Sequence, residues 1–282
     1  MKWLPKILVI FLIVPLSFTT TGCQRTENPL GRRTTHLFPP SYLHKQAASA
    51  YAGEKKKNPQ SDNAQQQALV QRVGQRLIVI AKRDYPQHCQ GFNWEVNLFE
   101  KPKIVNAYCM PGGKIAFYTG IMPICKNEAG VAAVMGHEIS HALLRHGSER
   151  VTRSLGVNAL VIGAALGVGS SKMQDKNKKK MMAAIGLGSQ VGLILPFSRK
   201  HESESDRMGL ELMAKAGYDP SEAPEIWVRM SKKSGGQAPP EFLSTHPSNQ
   251  TRIAELTALQ PGAQAHYRRA PTKYGKGQTM RF

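Results

Sequence analysis

Acidic side chains are scarce in this chain, with 19 Asp and Glu against 38 Lys and Arg, a formal net charge of +19 over 282 residues. In a cytosolic protein that excess would suit nucleic acid, but no RNA- or DNA-binding signature accompanies it, and nucleic acid is not expected as a partner. Cysteine is rare too. Cys23, Cys89, Cys109 and Cys125 lack the paired spacing of a zinc knuckle, which removes cysteine from any metal site. Long apolar runs are missing. Ile7 to Leu16, Leu155 to Gly169 and Met181 to Phe197 all fall short of the roughly twenty residues needed to span a bilayer. There is no internal repeat and no helical-repeat partner domain. A hydrophobic content of 41% is ample for a packed core in one large domain.

What the N-terminus does contain is a secretory pattern. Met1-Lys2 and Lys6 precede the apolar run, and small residues end at Thr20-Thr21-Gly22-Cys23. The residues before Cys23 resemble a bacterial lipobox, whose cysteine carries the lipid of the mature protein. Thr20 departs from the usual Leu, so cleavage at a non-lipid site or retention as an uncleaved anchor stays open. Gln24 after the cysteine resembles the outer-membrane sorting preference. Removal of residues 1–22 takes away two lysines and no acid, leaving +17. An exported chain so charged meets anionic lipid headgroups or acidic segments, or simply keeps a solvated surface. In an oxidising compartment, the three remaining cysteines would make one disulfide and one buried thiol, the pair undetermined.

The chemistry is concentrated in His137-Glu138-Ile139-Ser140-His141. On a helix, residues i and i+4 share a face, so the two imidazoles converge on one ion while Glu138 reaches a water beside it as general base. Two satisfied surface histidines are the plain alternative. A second helical stretch supplies Glu202 and Asp206, again i and i+4, and runs on to Gly217, a C′ glycine. A catalytic zinc takes three protein ligands and leaves one place for water, so Glu202 would complete the set. Asp206, one turn on, would accept the outer N–H of a ligating histidine. Glu204 falls on the solvated face, and His146 and His201 fit no ligand spacing and are expected to be structural.

These motifs resemble the family of zinc endopeptidases that includes the CAAX prenyl endopeptidase, the heat-shock protease HtpX and periplasmic lipoproteins such as LoiP. The resemblance extends through Asn106-Ala107-Tyr108, Pro111 to Ile115, Ala216 to Pro220, and Ser244 to Pro247 with Arg252. It implies one zinc per chain on His137, His141 and Glu202, with Glu138 as base. It also implies an edge strand at Asn106 and Ala107 that holds substrate extended. A metzincin is rejected, because Leu144 and Gly147 stand where it needs Gly and His. His246 faces the zinc either as a transition-state donor or as a ligand that displaces water. Arg252 either stabilises the oxyanion or pairs with an acid. The implied fold is α+β, a mainly helical gluzincin-type zincin domain with a small sheet beside the zinc helix. The implied substrates are unfolded or misassembled envelope proteins, with outer-membrane assembly machinery as a partner and the periplasmic face of the outer membrane as the location.

The chain divides into a signal peptide (1–22), a lipid-anchored polar tether and lead-in (23–62), the metallopeptidase domain (63–260) and a basic tail (261–282) lying extended over the surface. Asn63 to Lys82 has helical periodicity. Phe92 to Phe99, Ile104 to Cys109 and Lys114 to Thr119 read as strands, Ala223 to Lys232 and Thr251 to Leu259 as helices. The Gly- and Ala-rich 155–197 region reads as helices packed over the site, or as a mobile or membrane-touching lid. Two rival functions stand: a lipid-anchored chaperone or binding protein with a structural or autoinhibited zinc, and a basic scaffolding lipoprotein with an incidental motif.

Overall fold

The computed structural model describes residues 24–167, 197–233, 241–246 and 250–280. The signal segment with Cys23, and most of the 155–197 lid region, lie outside the described residues. Among the described residues no helix is long and apolar enough to cross a membrane.

The element sequence begins with two short strands, β1 (Gln24–Glu27) and β2 (Arg33–His36), followed by helices α1 (Pro40–Lys57) and α2 (Ala64–Asp84). Strands β3 (Glu95–Phe99), β4 (Ala107–Met110) and β5 (Lys114–Tyr118) come next, then α3 (Met122–Cys125) and α4 (Glu128–Leu143). After α5 (His146–Gly167) come α6 (Arg199–Lys215), α7 (Glu222–Lys233), α8 (Glu241–Thr245), α9 (Gln250–Ala258) and α10 (Gln260–Arg269). The α+β class is as expected, with helices predominating.

Helix α4 is the axis of this arrangement, and every residue in it except Ala133 is buried. A helix apolar on all sides has to be packed on all sides. The neighbours of α4 are α2, β4, α3, α5, α6 and α7. Its first turn is secured twice. The Asn127 side chain accepts from Gly130 N at 2.8 Å, and the backbone N–H groups of Glu128 and Ala129 donate to the Gln278 and Lys276 carbonyls, both at 3.1 Å. These are donors that a helix N-terminus otherwise leaves unmatched. The tail expected to lie extended over the surface thus forms helix α10 and then caps the zinc helix. Its basic composition hid that role, because the contacts are made by backbone carbonyls.

The sheet has the order β3-β5-β4, with β3 parallel and β4 antiparallel to the fully buried β5. Strand β4 is outermost and lies against α4. The segment 24–62, expected as a tether followed by a loosely ordered or helical lead-in, does contain a helix, α1, but the whole segment is docked. Tyr51 of α1 is buried and donates to the Ile115 carbonyl, while buried His36 bonds Ser148 Oγ through Nδ1 at 2.9 Å. Polar anchors hold this segment, so hydrophobic periodicity does not reveal it. Cys89, Cys109 and Cys125 are all free thiols, contrary to the expected disulfide. Burial pushes the Cys125 thiol up to about 12 and the Cys89 thiol up to about 11, which keeps both protonated.

The approach of α6 to α4 depends on two glycines. A Cβ on Gly136 would meet the Gly209 carbonyl oxygen at 2.8 Å, and one on Gly209 would meet His137 N at 2.7 Å. No side chain can stand between the backbones there. Gly209→Ala is therefore expected to destabilise the protein by about 1–3 kcal/mol and to lower its metal content by moving Glu202 away from α4. Thermal melting together with metal analysis of the purified variant checks both effects.

Candidate metal centre

Helix α4 presents His137, Glu138 and His141; α6 presents Glu202 and Asp206; the residue after α8 is His246, and α9 carries Arg252. Ser198 caps α6, its hydroxyl accepting from His201 N at 3.2 Å, so Glu202 sits in the first turn, facing α4 across the glycine contact. All seven of these side chains are buried.

The donor atoms lie close together. His137 Nε2 is 3.0 Å from His141 Nε2 and 3.4 Å from Glu202 Oε2, and His141 Nε2 is 3.5 Å from Glu202 Oε1. Zinc bonds of about 2.0–2.1 Å in a tetrahedron put neighbouring donors about 3.3 Å apart. The outer nitrogens decide what the inner ones do. Asp206 holds His137 Nδ1 at 2.9 Å, and a carboxylate only accepts, so His137 carries its proton on Nδ1 and a lone pair on Nε2. Lone pairs facing a carboxylate at these distances in a dry interior repel unless a metal ion or a second proton lies between them. The residues present therefore fit a divalent metal.

Without that cation the two histidines separate in basicity. Burial lowers His137, but its bonds to Asp206 and Glu202 more than offset this and push it up to about 9. His141 is driven well below the usual histidine range by burial and by His137, His246 and His146 around it. Glu202 stays well below the carboxylate range; burial raises it, and His246, His137 and Arg252 outweigh that. Glu138 is shifted upward, chiefly by burial, and its Oε1 has no hydrogen-bond partner among the described residues. A poorly solvated carboxylate beside the donor set is what a general base requires.

His246 joins the same cluster, with Nδ1 3.3 Å from His137 Nε2 and 3.2 Å from Glu202 Oε1, and Nε2 3.5 Å from Glu138 Oε1. Phe242 stacks on its ring at 4.6 Å, Phe197 lies 3.9 Å from the His141 ring, and Trp227 is edge-on to His137 at 5.8 Å. Arg252 bonds Asp206 through Nε at 2.7 Å and Nη2 at 2.6 Å, with Nη1 2.6 Å from Glu202 Oε2. Its guanidinium also covers the Trp227 ring at 3.7 Å. Asn106 and Ala107 are buried at the start of β4, where the Asn106 carbonyl accepts from Tyr118 N at 3.1 Å. The aromatic wall was not foreseen, since isolated Phe and Trp read as core. Glu204 is not on a solvated face: it bonds His146 Nε2 at 2.9 Å and Arg32 Nε at 2.6 Å.

A helix carrying H-E-x-x-H, joined by a glutamate from a second helix, defines a metallopeptidase of the zincin class. Residues 64–260 match the sequence profile of peptidase family M48, and the chain belongs to that family. Family M48 peptidases use zinc, which suits this donor set. The chain is 36% identical over 204 residues to mitochondrial metalloendopeptidase OMA1 of Schizosaccharomyces pombe, covering 69% of this chain and 53% of the relative. It is 41% identical over 165 residues to the protein of that name from Arabidopsis thaliana, covering 58% and 31%. It is 30% identical over 155 residues to the beta-barrel assembly-enhancing protease of Escherichia coli (strain K12), covering 54% and 31%. The chain thus spans about half the length of these curated relatives or less.

At neutral pH zinc has to displace the proton on His137. Apparent zinc affinity should rise about tenfold per pH unit and level off above about pH 9. The metal-free fold has the opposite dependence: stabilisation from protonated His137 is complete below the unfolded value of about 6.5 and is lost as pH rises through about 9. Chelator competition and thermal melting across that range measure the two slopes.

Proposed function

We propose that this protein is a zinc-dependent endopeptidase that cleaves unfolded or misassembled proteins of the bacterial envelope, held by an N-terminal lipid at the periplasmic face of the outer membrane. The observation that carries the peptidase reading is Glu138, buried and with its Oε1 lacking a hydrogen-bond partner among the described residues, beside the clustered ligand atoms of His137, His141 and Glu202. His137, His141 and Glu202 would hold one zinc, which supplies Lewis-acid polarisation of the substrate carbonyl and a water of lowered pKa. Glu138 takes the proton of the attacking water and passes it to the leaving amine. Burial prepares it for both steps: the raised pKa makes it a stronger base, and once protonated it is a usable acid.

Strand β4 is an edge strand beside α4, and an extended substrate adding there at Asn106 and Ala107 would displace Asn106 Oδ1 from the Ala107 N–H that it now accepts from at 2.9 Å. Arg252 has committed three nitrogens to Asp206 and Glu202, so we assign it charge compensation in preference to the oxyanion. The location is supported by the signal pattern ending at Gly22-Cys23, and the substrate class by likeness to a protease named for enhancing β-barrel assembly. Placement in the LoiP-like lipoprotein branch rests on the same cysteine.

One observation favours a second reading. With His246 Nδ1 included, the cluster presents four protein donors, the closed set of a structural or autoinhibited zinc. A chaperone or binding protein would then lose its fold, and no hydrolysis, on chelation.

Glu138→Gln should keep zinc and reduce hydrolysis of unfolded casein by about 10²–10⁴-fold; wild-type turnover in that variant would remove the mechanism. Cys23→Ser should shift the protein from the membrane to the soluble fraction, and unchanged fractionation would exclude the lipid anchor.

A further inference from the structure

The two ligating histidines are backed in matching ways. His137 donates to Asp206, which Arg252 holds bidentately. His141 Nδ1 instead lies 3.0 Å from Nδ1 of His146, a residue that belongs to neither zinc motif. Arg145 makes this possible: with φ at 59° it ends α4 in the left-handed region and turns the start of α5 back, placing His146 beside the ring four residues before that turn. His146 Nε2 lies 2.9 Å from Glu204 Oε2, and Arg32 grips Glu204 with Nε at 2.6 Å and Nη2 at 2.9 Å. The same guanidinium holds Glu149 at 2.7 and 2.8 Å.

The protons along this path have one consistent placement. Glu204 only accepts, so neutral His146 carries its proton on Nε2 and presents a lone pair at Nδ1. Ser205 Oγ is near that lone pair at 3.3 Å, but His141 Nδ1 is nearer at 3.0 Å. His141 therefore carries its proton on Nδ1, and its Nε2 lone pair points into the metal cluster.

We infer, on the zinc reading of the main cluster, that His146 is a positioning residue for His141, and that Arg32 and Glu204 complete a relay tying metal affinity to the β1–β2 turn. Arg32 lies outside residues 64–260, so a segment beyond the family match supports the metal site. The relay fixes the tautomer and ring angle of His141, a role that outer partners of metal-bound histidines commonly fill. The saturation of Glu149 and Glu204 by Arg32 argues against a second metal on His146, Glu149 and His201, whose ligand atoms also cluster.

The test is zinc stoichiometry and affinity of the full chain by chelator competition, with the cobalt(II) visible spectrum as a second readout. Wild type should bind one zinc. His146→Leu should weaken binding about 10–100-fold and shift the cobalt bands, while His146→Gln, whose amide can accept from His141 and donate to Glu204, should recover most of the loss. Arg32→Met should weaken binding roughly tenfold when affinity is measured at a temperature where the metal-free variant is still folded, and it decides the matter if His146→Leu does not fold. Wild-type affinity and spectrum in both His146→Leu and Arg32→Met would overturn the relay and leave the zinc reading intact. Two zinc ions per wild-type chain, one lost in His146→Leu, would overturn it in favour of a separate metal site. No zinc in wild type would sink the relay together with the reading beneath it.

Discussion

Two imidazole lone pairs and a carboxylate face one another across about the edge of a zinc-sized tetrahedron, inside a part of the protein sealed from water. Without a metal ion only a second proton on His137 relieves their mutual repulsion, because no bulk solvent is present to do so. The rest of the site answers this constraint. The outer nitrogen of each histidine is occupied, so neither ring can turn its proton inward without breaking a buried hydrogen bond. Arg252 offsets the charge of Asp206 and Glu202, and aromatic rings keep the local dielectric low, which strengthens every one of these interactions.

Holding the constraint in place is a matter of helix packing. The backbones of α4 and α6 meet at Gly136 and Gly209, close enough for a carboxylate in the first turn of one helix to reach imidazoles on the other. The N-terminus of α4 is fixed by Asn127 and by carbonyls of the C-terminal segment. Buried Glu128 adds bonds to Arg72 at 2.6 Å, Arg76 at 3.0 Å and Tyr218 at 3.0 Å. Distant parts of the chain thus converge on one helix. The role proposed for Glu138 rests on where that helix lies, since the position next to His137 is carried into the same dry interior.

Much of this was legible in the sequence where a helical period did the work. His137 with His141, and Glu202 with Asp206, are each one turn apart, so local geometry alone puts each pair on one face. Gly217 likewise reads as a helix stop, and it closes α6 with φ at 86° and the paired bonds Gly217 N to Ala214 O and Tyr218 N to Met213 O. Other features left no periodic trace. Arg32 and Glu204 are 172 residues apart, and nothing around either marks a partner. His146 sits five residues after His141, off the helical face, and reaches it only because Arg145 breaks the helix. The hairpin at 24–36 and the C-terminal cap dock through polar side chains and backbone groups, which a pattern of apolar residues cannot show.

The central claim is that His137, His141 and Glu202 bind the same cation. Anomalous diffraction recorded on either side of the zinc absorption edge, from crystals of the full chain grown with one equivalent of zinc, tests it directly. The account predicts a single strong peak about 2.0–2.2 Å from His137 Nε2, His141 Nε2 and a Glu202 carboxylate oxygen. A map with no peak among those three side chains, or with its only peak elsewhere on the surface, would contradict it.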